Sequence, residues 1–209
     1  MCRRYVSPDQ ISIDREFDLV RSGWEFPTNF NAGPSQAIPV IRVLEGQPDP
    51  VLLIWGFGEH DTSNLPVEAL KLGGGSLGLL AQGRRCIIPA LGFYEWQAAA
   101  NGARNAYYVH VEDQDLFGFA GFWEREACTL VTLPANAMLA EINNTERRMP
   151  AILTREMRDI WLYGSVANAA AALAAYPAES LVAYRVGARV DSPDNNDETL
   201  IEPLETNVD

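Results

Sequence analysis

Cys2, directly after Met1, is the residue of this chain best suited to covalent chemistry. Methionine aminopeptidase accepts a small second side chain, so removal of Met1 is expected and leaves a 1,2-aminothiol. Its α-amine, with a reference pKa of about 7.7–8.0, and its thiol, at about 8.5, are both partly deprotonated near neutrality. Such a pair can condense with an aldehyde. The amine forms a Schiff base, and the thiol closes on the imine carbon to give a five-membered thiazolidine. The same terminus can also act as an N-terminal nucleophile on an amide, with its own amine as base. The bland alternative is a cysteine at a disordered terminus.

Glu95 is the second candidate. It lies in Gly92-Phe93-Tyr94-Glu95-Trp96, just after the apolar run Arg84-Arg85-Cys86-Ile87-Ile88-Pro89. A carboxylate held against Phe93, Tyr94 and Trp96 is desolvated, which raises its pKa towards the range useful for proton transfer. Its alternative is a surface glutamate on a turn whose aromatic neighbours fill the core. The chain has two histidines, His60 in the loop after Trp55 and His110 in a β-rich run, where it reads as a half-exposed strand residue. Cys2, Cys86 and Cys128 lie far apart with no CxxC spacing, which argues against both a disulfide framework and a zinc site. No metal and no cofactor is expected.

Several elements must position these groups. Alternating or β-rich runs predict strands at Ile38–Val43, Val51–Ile54, Cys86–Ile88, Ala106–Val111, Leu116–Ala120, Thr129–Thr132 and Leu181–Val186. Helices are predicted at Pro134–Ile142, with Pro134 first, at Arg155–Tyr163, with Thr154 as N-cap, and at Val166–Ala175. Strands dominate the middle and helices sit late, so the fold class is α+β: a large, mostly antiparallel, barrel-like sheet core with a few flanking helices. A single domain over residues 1–209 is expected, with 191–209 a partly extended tail. The glycine-rich Leu72–Gly78 lacks the Gly-Lys-Ser/Thr of a phosphate loop and reads as a flexible loop.

Composition narrows the function classes. The chain has 209 residues, 47% hydrophobic and 21% charged, enough to bury a core. No apolar run approaches the roughly 20 residues that cross a bilayer, and MCRRYVSPDQ has no signal-peptide core. Cytoplasmic location is the expectation, at the nucleoid if the protein binds DNA. The formal charge of −12 opposes long-range attraction to nucleic acid. It does not forbid a local basic cleft, because exposed charges beyond about 10 Å are largely screened at 0.1 M salt. Basic residues pair at Arg3-Arg4, Arg84-Arg85 and Arg147-Arg148.

These residues carry a family resemblance. The start MCRRY resembles the MCGRY opening of the SRAP family, the SOS-response-associated peptidases. Phe30–Gln36 resembles that family's YNIAPTQ, Trp55-Gly56-Phe57 its WGL, and Ala120–Glu124 its AGLWE. Residues 84–96 are close to RRCLIPADGFYEW, the most specific match, and Ala135-Asn136 and Arg148–Leu153 resemble the AN and RMPVIL blocks. The order holds from residue 2 to about residue 202.

The resemblance implies an SRAP-like fold and recognition of abasic sites in single-stranded DNA. Cys2 would trap the ring-opened sugar aldehyde as a thiazolidine crosslink, with Glu95 assisting proton transfers, removal of Met1 and crosslink reversal. It implies no cofactor and no membrane, and a monomer is expected. By position, Asn64 matches the asparagine that contacts the trapped sugar, with Pro66 where the phosphate-binding arginine would be. Aligning on Arg148-Met149-Pro150 puts Glu146 at the family histidine, whereas aligning on Ile142 puts Asn143 there. Arg3 stands in place of a glycine and either crowds the pocket or supplies a compensating phosphate contact. The expected DNA contacts are Arg3, Arg4, Asn31, Pro34, Trp55, Arg84, Arg85 and Arg148, with Trp55 either stacking on a base or sitting in the core. Two other classes remain open: a non-catalytic binding or regulatory homologue, and an N-terminal-nucleophile amidase or peptidase.

Overall fold

The structure is a computed structural model that describes residues 2–19, 25–57, 62–71, 78 and 82–204. His60 and nearly all of the Leu72–Gly78 loop lie outside the described residues.

Two sheets form the body. The first runs β13-β8-β7-β1-β2, antiparallel throughout, from Leu181–Arg185 (β13), Arg104–Val111 (β8), Gly92–Ala98 (β7), Arg4–Ser7 (β1) and Asn29–Ala32 (β2). The second contains Ala37–Leu44 (β3), Gln47–Trp55 (β4), Arg85–Ala90 (β6), Phe117–Glu124 (β9) and Ala127–Pro134 (β10). Because β10 pairs with both β9 and β4, these five strands close into a barrel-like ring. Asn64–Pro66 (β5) adds to β10 in parallel, Arg148–Pro150 (β11) adds to β10 antiparallel, and Ile152–Leu153 (β12) extends the sheet at β9. The parallel β10 pairings with β4 and β5 make the sheet mostly, not wholly, antiparallel.

Burial explains which strands were legible from pattern. Every residue of β6 is buried, as are six of the eight in β9, so these read as continuous apolar runs. In β7 the side chains alternate instead: Phe93 enters the main core and Tyr94 a second cluster with Val6, Tyr108, Val190 and Leu200. The segment Gly92–Trp96, assigned to no element by pattern, is itself part of a strand, which rules out the alternative of a surface glutamate on a turn. Gly92 lies flat beneath the Tyr108 ring, where a Cβ would overlap the ring atoms.

The helices are Gln10–Glu16 (α1), Ala137–Ile142 (α2), Arg155–Tyr163 (α3) and Val166–Ala171 (α4). Helix α3 matches the expected range residue for residue, with Thr154 at its N-cap but making no capping side-chain bond. Trp161 pins it to the barrel by donating to the Cys86 carbonyl at 2.8 Å. Two expectations need correction. Pro134 ends β10 rather than opening a helix, because Asn136 caps α2 by accepting from the Leu139 amide at 2.9 Å. Helix α4 stops at Ala171, short of Ala175. No helix among the described residues is long and apolar enough to cross a membrane.

Candidate active site

Pairing of β1 with both β7 and β2 carries the N-terminus into the middle of the first sheet. Register sets Arg4 opposite Tyr94 and Tyr5 opposite Phe93, so the chain ahead of β1 runs alongside Glu95 and Trp96, and Cys2 comes within the electrostatic reach of Glu95. Cys2 is fully buried, and the Asn64 side-chain amide donates to its carbonyl at 2.9 Å. Asn64 is held in turn by the loop before it. The fully buried Trp55 indole donates to the Ser63 carbonyl at 2.7 Å, and the Leu130 amide donates to the same carbonyl at 2.9 Å.

Glu95 is 2% exposed, and its Oε1 has no hydrogen-bond partner among the described residues. Burial, reinforced by the nearby Glu146 charge, pushes its pKa up to about 7. The N-terminal ammonium, the Asn143 side chain and the Trp96 amide act in the opposite direction. The Cys2 thiol is pushed well above its ordinary value, first by burial and then by the negative charge of Glu95. A weak contact to the Arg4 carbonyl at 3.7 Å opposes this shift. Cysteine and glutamate are thus electrostatically coupled inside the protein.

Glu95 reaches solvent through a cavity of about 530 Å³. Its charged wall holds Arg3, Arg4 and Arg104 against Glu95, Glu146 and Asp191. Trp96 and Asn143 complete the part that bears on chemistry. Asn143 is 3% exposed, touches Glu95, donates to the Arg148 carbonyl at 3.1 Å and accepts from the Glu146 amide at 3.2 Å. Both sequence alternatives for the missing histidine thus converge here: Asn143 in contact with Glu95, and Glu146 exposed at the rim.

The structure brings together Cys2, Asn64, Glu95, Glu146, Arg3 and Arg4. Three of the other expected DNA contacts, Trp55, Asn31 and Arg85, are buried and are corrected. Trp55 is 0% exposed and holds the Asn64 loop, so its face is closed to a base. Asn31 is 1% exposed and donates to the carbonyls of Val190, Ser192 and Asn195. Arg85 is 6% exposed and donates to the Gly164 carbonyl at 2.8 Å. Arg84 pairs with Glu124 at 3.0 Å, and Arg148 pairs with Glu68 at 3.0 Å while bonding the Thr132 carbonyl. Pro34 is half-buried in the turn between β2 and β3. Pro66 supplies no cation itself, but it faces Thr132 in the β5–β10 pairing, and the Arg148 guanidinium lies on that threonine. Sequence reasoning missed Arg104 and Asp191. Neither lies in a recognisable motif, and an aspartate in a polar acidic stretch carries no signal that it faces a cavity.

The fold is shared with solved proteins. A protein from Bacteroides thetaiotaomicron superposes with a TM-score of 0.83 over 98% of this chain and 100% of its own, at 22% identity. One from Bordetella bronchiseptica gives 0.76 over 89% of this chain and 100% of its own, also at 22%. The chain belongs to the SOS response associated peptidase (SRAP) family, whose model matches residues 1–193. Among relatives, abasic site processing protein YoaM of Bacillus subtilis is 28% identical over 93% of this chain and 91% of YoaM. Abasic site processing protein YoqW, also of Bacillus subtilis, is 34% identical over 57% of each chain, so the match spans little more than half of YoqW. Abasic site processing protein HMCES of Gallus gallus is 27% identical over 91% of this chain and 70% of HMCES.

Proposed function

We propose that this protein, once Met1 is removed, captures the aldehyde of an abasic site in single-stranded DNA through Cys2, forming a thiazolidine crosslink. The observation that carries this reading is the burial of Cys2 within the electrostatic reach of Glu95, a carboxyl group whose pKa burial pushes up to about 7 and whose Oε1 has no partner among the described residues. The names of the relatives, which are abasic site processing proteins, point to the same lesion.

The chemistry balances with these groups. The Cys2 amine adds to C1′ of the open sugar, giving a carbinolamine. Protonated Glu95 donates to the carbinolamine hydroxyl, which leaves as water, and the iminium remains. The resulting Glu95 carboxylate takes the thiol proton as Sγ bonds to the iminium carbon and closes the ring. Aldehyde plus aminothiol thus yields thiazolidine plus one water, and Glu95 ends protonated as it began. Burial makes this proton transfer necessary, because the desolvated thiol resists ionising unaided. Asn64, donating to the Cys2 carbonyl, fixes the backbone from which both reacting atoms extend.

The test is incubation of the mature protein with single-stranded DNA containing one abasic site. The expected product is a heat-stable adduct that Cys2→Ser abolishes and Glu95→Gln slows by about 100-fold. The rate should fall as pH rises through about 7, where Glu95 loses its proton, and Glu95→Gln should remove that limb. An adduct that survives Cys2→Ser would overturn the proposal.

A further inference from the structure

The acidic segment after β13 is built into the cavity wall. Asn31, from β2, donates to the carbonyls of Val190, Ser192 and Asn195 at 3.3, 2.9 and 2.9 Å. Val190 and Leu200 are buried in the cluster that also holds Tyr94 and Tyr108. These anchors fix Asp191 at the cavity between two of its other walls. The Trp96 indole donates to Asp191 Oδ1 at 2.7 Å. Arg4 lines the same cavity, where burial lowers its pKa and the Asp191 charge acts in the opposite direction. Arg4 is confined on the far side by Gly33, where a Cβ would come within 2.7 Å of its Nη1, and it donates to the Asn31 carbonyl at 3.4 Å. Arg104 stacks over the other part of the Trp96 ring at 5.3 Å.

We propose that Asp191 is a positioning residue of the substrate cavity, aligning Trp96, and that its charge in the same wall as Arg4 opposes the binding of a DNA phosphate there. The proposal rests on the abasic-DNA reading for its ligand. In the free protein the Asp191 charge partly offsets that of Arg4 within the cavity wall, so a backbone phosphate on Arg4 is bound in the presence of a carboxylate. That opposition lowers the net gain from the phosphate contact and the number of counterions released. It also fits a strongly acidic protein that must take up one damaged nucleotide without holding undamaged strands tightly. No bond is made or broken by Asp191 itself.

Asp191→Asn and Asp191→Ala separate the two roles, because an asparagine oxygen still accepts from the Trp96 indole while its charge is gone. Binding is read by fluorescence anisotropy with a single-stranded oligonucleotide carrying a tetrahydrofuran analogue, which has no aldehyde, across a salt series. Both variants should bind more tightly than the parent at low salt, with a log–log salt slope steeper by about 0.7, the share of one phosphate contact no longer offset by the carboxylate. With aldehyde-bearing DNA at saturation, Asp191→Ala should crosslink about fivefold more slowly, and Asp191→Asn should recover most of that loss. A purely structural role would leave the salt slope unmoved and lower melting temperature and rate together. An unchanged slope and affinity in Asp191→Asn, including absence of binding in both proteins, overturns the inference. A shifted slope with no adduct from the parent protein overturns the crosslinking proposal while leaving the role of Asp191 standing.

Discussion

Two buried ionisable clusters, at the cavity and at the α1–α3 contact, treat charge in opposite ways. At α1–α3, Glu16 pairs with Arg158 at 2.8 Å and Arg155 at 2.7 Å. Arg158 is 7% exposed, packs over the Phe17 ring at 4.7 Å and reaches the Leu116 carbonyl at 3.4 Å. Its burial is compensated by a full negative charge. At the cavity, Glu95 is buried more deeply, keeps one oxygen without a partner and has another carboxylate, Glu146, as neighbour. The first arrangement locks two helices together. The second leaves a carboxyl group whose proton is easily gained and lost near neutrality, as proton transfer requires and stability does not.

This contrast is broken most forcefully by Glu16→Ala. Removing the anion strands the buried Arg158, so unfolding in urea should show a loss of about 3 kcal/mol. The rate of adduct formation by the folded protein should be unaffected, and a slowed adduct with unchanged stability would contradict the assignment of Glu16 to structure.

Glu95→Gln should act with the opposite sign. Glu95 has its folded pKa raised from an ordinary 4.5 to about 7, so the native state holds the extra proton between those values. The associated stability is fully present below about pH 4.5 and is lost as pH rises through about 7, amounting to about 3 kcal/mol if the whole shift is realised. Glutamine never ionises. The variant should therefore be more stable than the parent at pH 8, by up to that amount, and should lose less stability between pH 4.5 and 7. Denaturant titrations at several pH values check this, and equal pH dependence in the two proteins would sink it.

The smallest expected effect sharpens the comparison. Glu146→Gln removes the like charge that helps to raise Glu95, so the falling limb of crosslinking rate against pH should move to lower pH. Because Glu146 is exposed, global stability should hardly change. A limb that stays in place would show that the two carboxylates are independent.

Much of this was readable from residue types and their order. An N-terminal cysteine specifies its aminothiol chemistry whatever surrounds it, and an aromatic-flanked glutamate suggests a shielded carboxylate. Continuous apolar runs marked β6 and β9, and α3 was readable to its end residues because its termini carry local signals. Less was readable where the partner is distant in the chain. Trp55 and Asn31 looked like DNA contacts because aromatic and amide groups serve in both places, and burial alone separates the two uses. The pair Arg84-Arg85 was indistinguishable from Arg3-Arg4 as text. Only the latter faces the cavity, while Arg85 is taken up by the Gly164 carbonyl and Arg84 by Glu124.

The sequence by itself determined the reactive groups: Cys2 with its prospective free amine, Glu95 among aromatic residues just after an apolar run, and the absence of a histidine from the motif ahead of Arg148-Met149-Pro150. These are properties of atoms and of near neighbours. Tertiary structure decided which groups meet: Asn64 on the carbonyl of Cys2, 62 positions away, and Asp191 on the indole of Trp96, 95 positions away. It also decided that one Glu95 oxygen has no partner among the described residues while Arg158 is ion-paired. Burial and pairing are relations between segments brought together by strand register, and no local pattern encodes them.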